Sequence, residues 1–167
     1  MKWYGYLIMA AMLISLSGIA CAQVEDQYMP ATNETGEAGM PSITVMDQTV
    51  EGNETIGNIT VDSVVSDGPG WVAIHNSLFG EPGGIVGFAP VEDGENTNIT
   101  IVIDTEVATD QLIAELHSDL GQEGTFEWPP IDVPVEIDGE IVMEAFNVTA
   151  EDFELKNLTD MAATAEQ

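Results

Sequence analysis

The chain has almost no positive charge. Arginine is absent from its 167 residues, and the two lysines, Lys2 and Lys156, face 30 acidic residues, which gives a net charge of −28. A protein needs Lys and Arg to neutralise nucleic-acid phosphates or to be attracted by anionic lipid headgroups. We therefore expect no nucleic-acid partner. We also expect a solvated, self-repelling surface; the alternative is a surface that collects cations, and in either case salt or Ca²⁺ should stabilise the fold.

Long hydrophobic runs are confined to the N-terminus. Residues 3–20 are almost continuously apolar, and Ala20-Cys21-Ala22 matches an A-x-A cleavage site. Residues 1–22 are therefore predicted to be a signal peptide, and the protein to be secreted or displayed on the extracellular cell surface. Two alternatives attach the chain to a membrane through this segment. It is long enough for an uncleaved anchor, or Cys21 carries a lipid, although Gly18 stands where a lipobox usually has Leu.

Cysteine is nearly absent too. Cys21 is the only one, so an intramolecular disulfide cannot form and a hydrophobic core must stabilise the domain. A blue-copper centre needs a thiolate beside two imidazoles, and a chain cleaved after residue 22 has none. Residues 23–41 are polar, acidic and without periodicity, which predicts a flexible linker.

Glycosylation sequons are more frequent than chance. With 8 Asn and 21 Ser plus Thr in the chain, random placement would give about one N-x-[ST] site. Six occur, at Asn33, Asn53, Asn58, Asn98, Asn147 and Asn157. Around Asn58 and Asn98 the alternation places Asn and Thr on one strand face and Ile or Val on the other, as a glycan-bearing outer face requires. We expect several of these sites to be glycosylated; the alternative is that Asn and Thr simply suit the polar side of a strand.

The rest of the chain alternates apolar and polar residues. Residues 71–75 and 84–89 are two short apolar runs joined by Gly- and Pro-rich turn residues, 76–84, and Asp138-Gly139 is the clearest hairpin signal. About seven or eight short strands over residues 42–149 predict an all-β, antiparallel, immunoglobulin-like β-sandwich. Residues 111–117 also suit a short helix, and residues 150–167 are predicted to be a C-terminal tail.

Several short segments of the domain carry a resemblance to a known family. They are residues 47–50 (DQTV), 61–75 (VDSVVSDGPGWVAIH), 83–87 (GGIVG), 116–119 (LHSD), 123–127 (EGTFE) and 133–135 (VPV). In these segments the chain resembles a family of exported archaeal and bacterial domains of unknown function with an immunoglobulin-like β-sandwich. The resemblance implies a secreted or surface-bound domain that is not an enzyme.

Two histidines occur in similar settings, Ile74-His75-Asn76 and Leu116-His117-Ser118. If their strands are neighbours, four side chains can converge on one Zn²⁺- or Cu²⁺-type ion, because imidazole and carboxylate are suitable ligands: His75, Glu115, His117 and Asp119. The alternative is two histidines that bond to loop backbone. A Ca²⁺ loop beginning at Asp119 is a weaker hypothesis, because Gly121 and Pro130 stand where oxygen ligands are needed.

Catalytic motifs are missing from the sequence: it has no G-x-S-x-G, no phosphate-binding GK loop and no H-E-x-x-H. We therefore predict a noncatalytic module of the cell envelope or extracellular matrix with a role in structure, adhesion or assembly. Its partners would be envelope proteins or glycans, or other copies to which residues 23–50 add a strand. One alternative is an extracellular metal-binding protein that uses His75 and His117. A second is an envelope polysaccharide hydrolase.

Overall fold

The computed structural model describes residues 39–156, and within that range the chain is all-β. No helix in this range is long and apolar enough to cross a membrane. The predicted signal segment, most of the linker and most of the tail lie outside the described residues. The strands are β1 (Ser42–Thr44), β2 (Gln48–Gly52), β3 (Ile56–Ser66), β4 (Gly70–Leu78), β5 (Glu81–Val91), β6 (Gly94–Asp104), β7 (Gln111–Ser118), β8 (Glu136–Ile137), β9 (Glu140–Ile141) and β10 (Met143–Ala150).

The strands form two groups that share one pairing. In the first, β3 pairs with β1, β2 and β6, and in the second β10, β7, β4 and β5 lie side by side in that order. The link is a parallel pairing of β2 with β10, in which Val148 lies opposite Gln48. The prediction of a purely antiparallel fold is therefore wrong: the sheet is mixed, since chain segments 100 residues apart run side by side in the same direction.

Two hairpins of the fold, β4–β5 and β8–β9, have two-residue turns. β4 and β5 pair up to Leu78 and Glu81, so the turn is only Phe79-Gly80, and both residues have positive φ, 60° and 87°. This is the two-residue turn that matches strand twist. The predicted turn over residues 76–84 is thus too long. The Asp138-Gly139 turn is confirmed, but the strands beside it, β8 and β9, have two residues each.

One hydrophobic core draws residues from both strand groups. Alternate residues of β3, β6, β7 and β10 belong to it, which is the outcome that period-two patterning predicts. Burying one such side chain contributes about 1.5–3 kcal/mol. The largest fully buried core side chains include Ile59, Val61, Ile74, Ile101, Ile103, Leu112, Leu116 and Phe146.

Strand β7 is buried on both faces. Leu112, Ala114 and Leu116 belong to the hydrophobic core, and the residues between them are also buried although Glu115 and His117 are polar. The second face is covered by residues 119–135, whose Pro134 pairs with His117. The alternative of a helix over residues 111–117 is wrong, because β4 and β10 flank this segment in the sheet.

Candidate metal centre

The register of β4 and β7 brings both histidines to one face of the sheet. His117 lies opposite Trp71, and Glu115 lies opposite Ala73. His75, two residues beyond Ala73, is then on the same face and diagonal to Glu115, because side chains alternate along a strand. The condition set by the sequence, that the two histidine strands be neighbours, is met.

Three side chains of this face meet beneath the covering segment. His117 Nε2 lies 3.0 Å from Glu115 Oε1, and His75 Nε2 lies 3.9 Å from the same oxygen. One ligand atom from each of the three residues lies within 4.8 Å of the other two. His117 is 0% exposed and the other two residues are 4% exposed. A carboxylate and two imidazoles are therefore held together away from water.

The second ring nitrogen of each histidine is already in use. His75 Nδ1 is 2.9 Å from the backbone oxygen of Gly83, and His117 Nδ1 is 2.8 Å from the backbone oxygen of Asp132. A carbonyl oxygen only accepts hydrogen bonds, so each Nδ1 carries the proton and donates it. In a neutral imidazole the Nε2 is then an unprotonated acceptor. The backbone thus sets both rings in the tautomer that presents Nε2 as a metal ligand.

Three acceptors consequently face one another. No group within residues 39–156 gives either Nε2 a hydrogen bond of acceptable geometry. The 3.0 Å separation of His117 Nε2 from Glu115 Oε1 has a hydrogen-bond length without the required direction. Buried acceptors without a donor cost free energy. A cation bound by all three groups would remove this cost.

The spacing fits one transition-metal ion. With metal–ligand distances of 2.0–2.1 Å, a tetrahedral ion holds its ligand atoms about 3.4 Å apart. The His117–Glu115 pair, at 3.0 Å, is already close to this spacing, and His75, at 3.9 Å from Glu115, must move in by about half an ångström. The two imidazole centroids are 6.1 Å apart. Each centroid would lie about 3.2 Å from a shared ion, so at a tetrahedral angle the two centroids would be about 5.2 Å apart and the rings must close by roughly 1 Å.

Comparison with known families gives one match. A domain of unknown function, DUF7282, covers residues 41–149, close to the 42–149 predicted for the domain. The chain belongs to the DUF7282 family. Comparison with curated proteins finds no match, and comparison with solved structures finds none. The resemblance to a domain family of unknown function is confirmed at this level.

The segment that covers the site in this DUF7282 domain is held by Asp132. Its carboxylate accepts hydrogen bonds from the backbone N–H groups of Leu120, at 3.0 Å, and Glu127, at 2.6 Å. Burial alone would raise the pKa of Asp132, but these backbone hydrogen bonds, together with that of Gly121, hold it below its ordinary value. The residue that orients His117 through its backbone oxygen thus also anchors the segment.

Aromatic side chains from the same segment close the site above His117. The Phe126 and Trp128 rings contact the His117 ring edge-on, with centroids 5.5 and 5.1 Å away. Phe126 also packs against Trp71 and Phe88 of the sheet. These contacts exclude water from the imidazole, which strengthens electrostatic interactions inside the site.

Asp119, the fourth predicted ligand, is not part of the group of three. Its carboxylate accepts a hydrogen bond from the backbone N–H of Gly124 at 2.7 Å. The reason is that β7 ends at Ser118, so the strand alternation that places Glu115 and His117 on the site face does not continue to Asp119. Three acidic side chains of the 119–132 loop, Asp119, Glu127 and Asp132, accept hydrogen bonds from the loop's own N–H groups instead of converging, which leaves the Ca²⁺-loop hypothesis without support.

The predicted glycosylation sites lie on the surface wherever the structure describes them. Asn53, Asn58, Asn98 and Asn147 are all exposed. The predicted alternation is confirmed, because Ile59, Val61 and Ile101 point into the core while Asn58 and Asn98 point outward. Asn33, Asn157 and the alternative lipidation site Cys21 lie outside the described residues.

Sequence reasoning missed Gly83 and Asp132, which orient the two histidines. Each acts through a backbone carbonyl, and a backbone group leaves no residue-type signal. One clue was present at Gly83, because a Cβ there would overlap Leu78 and the side-chain oxygen of Asn76. A glycine inside a strand is often a place where the backbone approaches other groups closely.

Proposed function

We propose that this DUF7282 domain binds one transition-metal ion through His75, Glu115 and His117. The observation that carries the proposal is that two buried Nε2 atoms without a hydrogen-bond partner lie within 4.8 Å of each other and of a carboxylate oxygen of the buried Glu115, while both Nδ1 atoms are committed to backbone carbonyls. Two imidazoles and one carboxylate suit Zn²⁺, Cu²⁺ or Fe²⁺, whereas Ca²⁺ and Mg²⁺ prefer all-oxygen sites.

Binding, not catalysis, is the role that the burial supports. A catalytic metal needs an open coordination position that substrate can reach. Here the three ligands are at most 4% exposed, and Phe126 and Trp128 pack on the His117 ring. We propose a noncatalytic metal-binding module in which the ion joins β4 to β7 beneath the covering segment.

The setting that we propose for this module is outside the cytoplasm. The apolar segment at residues 3–20, the net charge of −28 and the exposed sequons support an exported, glycosylated protein of the cell surface or medium. We also propose that the two strand groups stack as an immunoglobulin-like sandwich. Their shared hydrophobic core supports that arrangement.

The test is metal analysis of protein purified without a histidine tag. We expect one equivalent of Zn²⁺ or Cu²⁺ per chain, by mass spectrometry of the native protein and by calorimetric titration after chelation. His75→Ala and His117→Ala should each abolish stoichiometric binding. Asp119→Asn, a substitution outside the group of three, is the matched control and should bind normally. A chain that takes up no ion under these conditions would overturn the proposal.

A second candidate function is assembly at the cell surface. Four exposed sequons within the described residues favour a displayed module. Residues 42–44 and 48–52 already pair within the chain's own sheet, so a donated strand would have to come from residues 23–38. Size measurement on native envelope fractions, with intact mass to count glycans, tests this candidate. A monomer of unmodified mass would exclude it.

A further inference from the structure

The site face carries one more donor atom. Met143, the first residue of β10, lies directly opposite Glu115 in the antiparallel β7–β10 pairing. Side chains directly opposite in such a pair leave the same face of the sheet, with Cβ atoms about 4.5–5.5 Å apart. We infer that Met143 supplies a thioether as fourth ligand, which makes this a copper site able to hold Cu⁺ as well as Cu²⁺. The inference rests on the metal site proposed above.

The Met143 side chain is not held by core packing. It is 41% exposed and is not a member of the hydrophobic core, whereas Phe146 and Val148 of the same strand are buried there. Its strand neighbour on the site face is a buried carboxylate. Methionine has three rotatable side-chain bonds and a polarizable sulfur, so the thioether can turn toward an ion bound at Glu115.

The donor set then selects the metal. Soft thioether ligands favour Cu⁺, imidazole suits both copper oxidation states, and Cu²⁺ heads the affinity order of the divalent first-row ions. Structural zinc sites use thiolate, imidazole and carboxylate, so a thioether adds little for Zn²⁺. With His75, His117 and Glu115 alone the site would accept Zn²⁺ and Cu²⁺ alike. With Met143 it would prefer copper and would retain the ion on reduction.

The test compares two methionine variants of the full chain, both with Cys21→Ser so that no thiol competes for copper. Met143→Leu keeps the volume and removes the sulfur, a change that folded proteins tolerate well. Met46→Leu is the matched control, because Met46 is 64% exposed in the connection between β1 and β2. Cu⁺ affinity is measured by competition with a chromophoric chelator, and Zn²⁺ affinity by calorimetry.

We expect Met143→Leu to weaken Cu⁺ binding by about tenfold or more while Zn²⁺ binding stays within about twofold. Met46→Leu should change neither. X-ray absorption of the Cu⁺-loaded chain should show one sulfur neighbour that Met143→Leu removes. Unchanged Cu⁺ affinity and no sulfur neighbour would overturn this inference and leave the metal site intact. A parent chain that binds neither Zn²⁺ nor copper would overturn the metal site as well.

Discussion

Replacing Glu115 by Gln tests whether, in metal-free protein, the buried carboxylate faces two neutral imidazoles or forms an ion pair with a protonated His117. The substitution keeps the shape of the side chain and exchanges a negative acceptor for an amide that can donate. In metal-free protein the new N–H can donate to one of the two Nε2 atoms, which have no acceptable donor within the described residues. The variant would thus supply the missing donor and remove a buried charge.

The expected change in the free energy of unfolding has two contributions, the new hydrogen bond and the loss of the buried charge. One net hydrogen bond contributes about 0.5–1.5 kcal/mol, and the loss of an uncompensated buried charge adds to it. We expect Glu115→Gln to raise the free energy of unfolding of the metal-free protein by about 1–3 kcal/mol. For a domain of this size each kcal/mol moves Tm by roughly 4 °C, so Tm should rise by about 4–12 °C in the presence of chelator.

With metal bound, the parent chain should become more stable than the Glu115→Gln variant. At a free concentration about 1,000 times Kd, a bound ion stabilises the parent chain by about 4.1 kcal/mol. The variant lacks the anionic ligand and should gain much less. The assay is thermal unfolding of both proteins in chelator and in excess Zn²⁺, followed by circular dichroism. His117→Ala, which removes a ligand without removing the charge or adding a donor, is the companion variant and should not be stabilised in chelator.

The opposite sign would refute this reasoning. If Glu115 were paired with a protonated His117, Glu115→Gln would break a buried ion pair and cost about 3–5 kcal/mol. Tm would then fall in chelator by roughly 12–20 °C. The two explanations thus differ in the direction of the change and not only in its size.

Two further predictions concern the fold. Gly87→Ala should destabilise the protein by about 1–3 kcal/mol, as measured by urea titration. The added Cβ would overlap the backbone oxygen of Val102 and lie 3.0 Å from a side-chain carbon of β6. Gly84→Ala is the control and should cost little, because its Cβ would meet only an oxygen at 3.9 Å. The backbone N–H and the side chain of Asn147 lower the pKa of Asp47 below its ordinary 3.8. Because the folded-state pKa is the lower one, this contribution is complete above about pH 4 and is lost as pH falls through the folded-state value. Asp47→Asn should therefore make unfolding less pH-dependent below pH 4, and an unchanged acid limb would show that the contact contributes nothing.

Period-two alternation was enough to predict much of the fold. The outward Asn and inward Ile residues of β3 and β6 lie where the pattern placed them, and Asp138-Gly139 marks a true turn. The turn between β4 and β5 was predicted too long because Gly83 and Gly84 resemble turn residues. Both lie within β5, where Gly83 allows the chain to approach Asn76 closely. The parallel pairing of β2 with β10 is a contact between distant segments, and local patterning carries no information on it.

The site shows the same division between local and long-range information. Glu115 and His117 share a face by alternation alone, so their proximity follows from the sequence. Adding His75 requires knowing that β4 lies beside β7 and in which register, and a shift of one residue would turn His75 away from the site. The prediction of Asp119 as a ligand was wrong because it assumed that strand alternation continues beyond Ser118, the last residue of β7. The hydrogen bond between His117 and the backbone of Asp132 joins residues that are 15 apart in the chain, and no short sequence motif predicts it.

Burying His75, Glu115 and His117 together costs desolvation free energy, which other interactions must offset. A leucine or valine at Glu115 would contribute favourable burial, as such residues do elsewhere on β7, and removing the carboxylate would also remove a desolvation penalty of several kcal/mol. Hydrogen bonds from the two Nδ1 atoms join β4 to β5 and β7 to the 119–135 segment, but they do not involve Glu115. The carboxylate is therefore the part of the site that packing and backbone hydrogen bonding leave unexplained, and the proposed cation would supply the missing interaction.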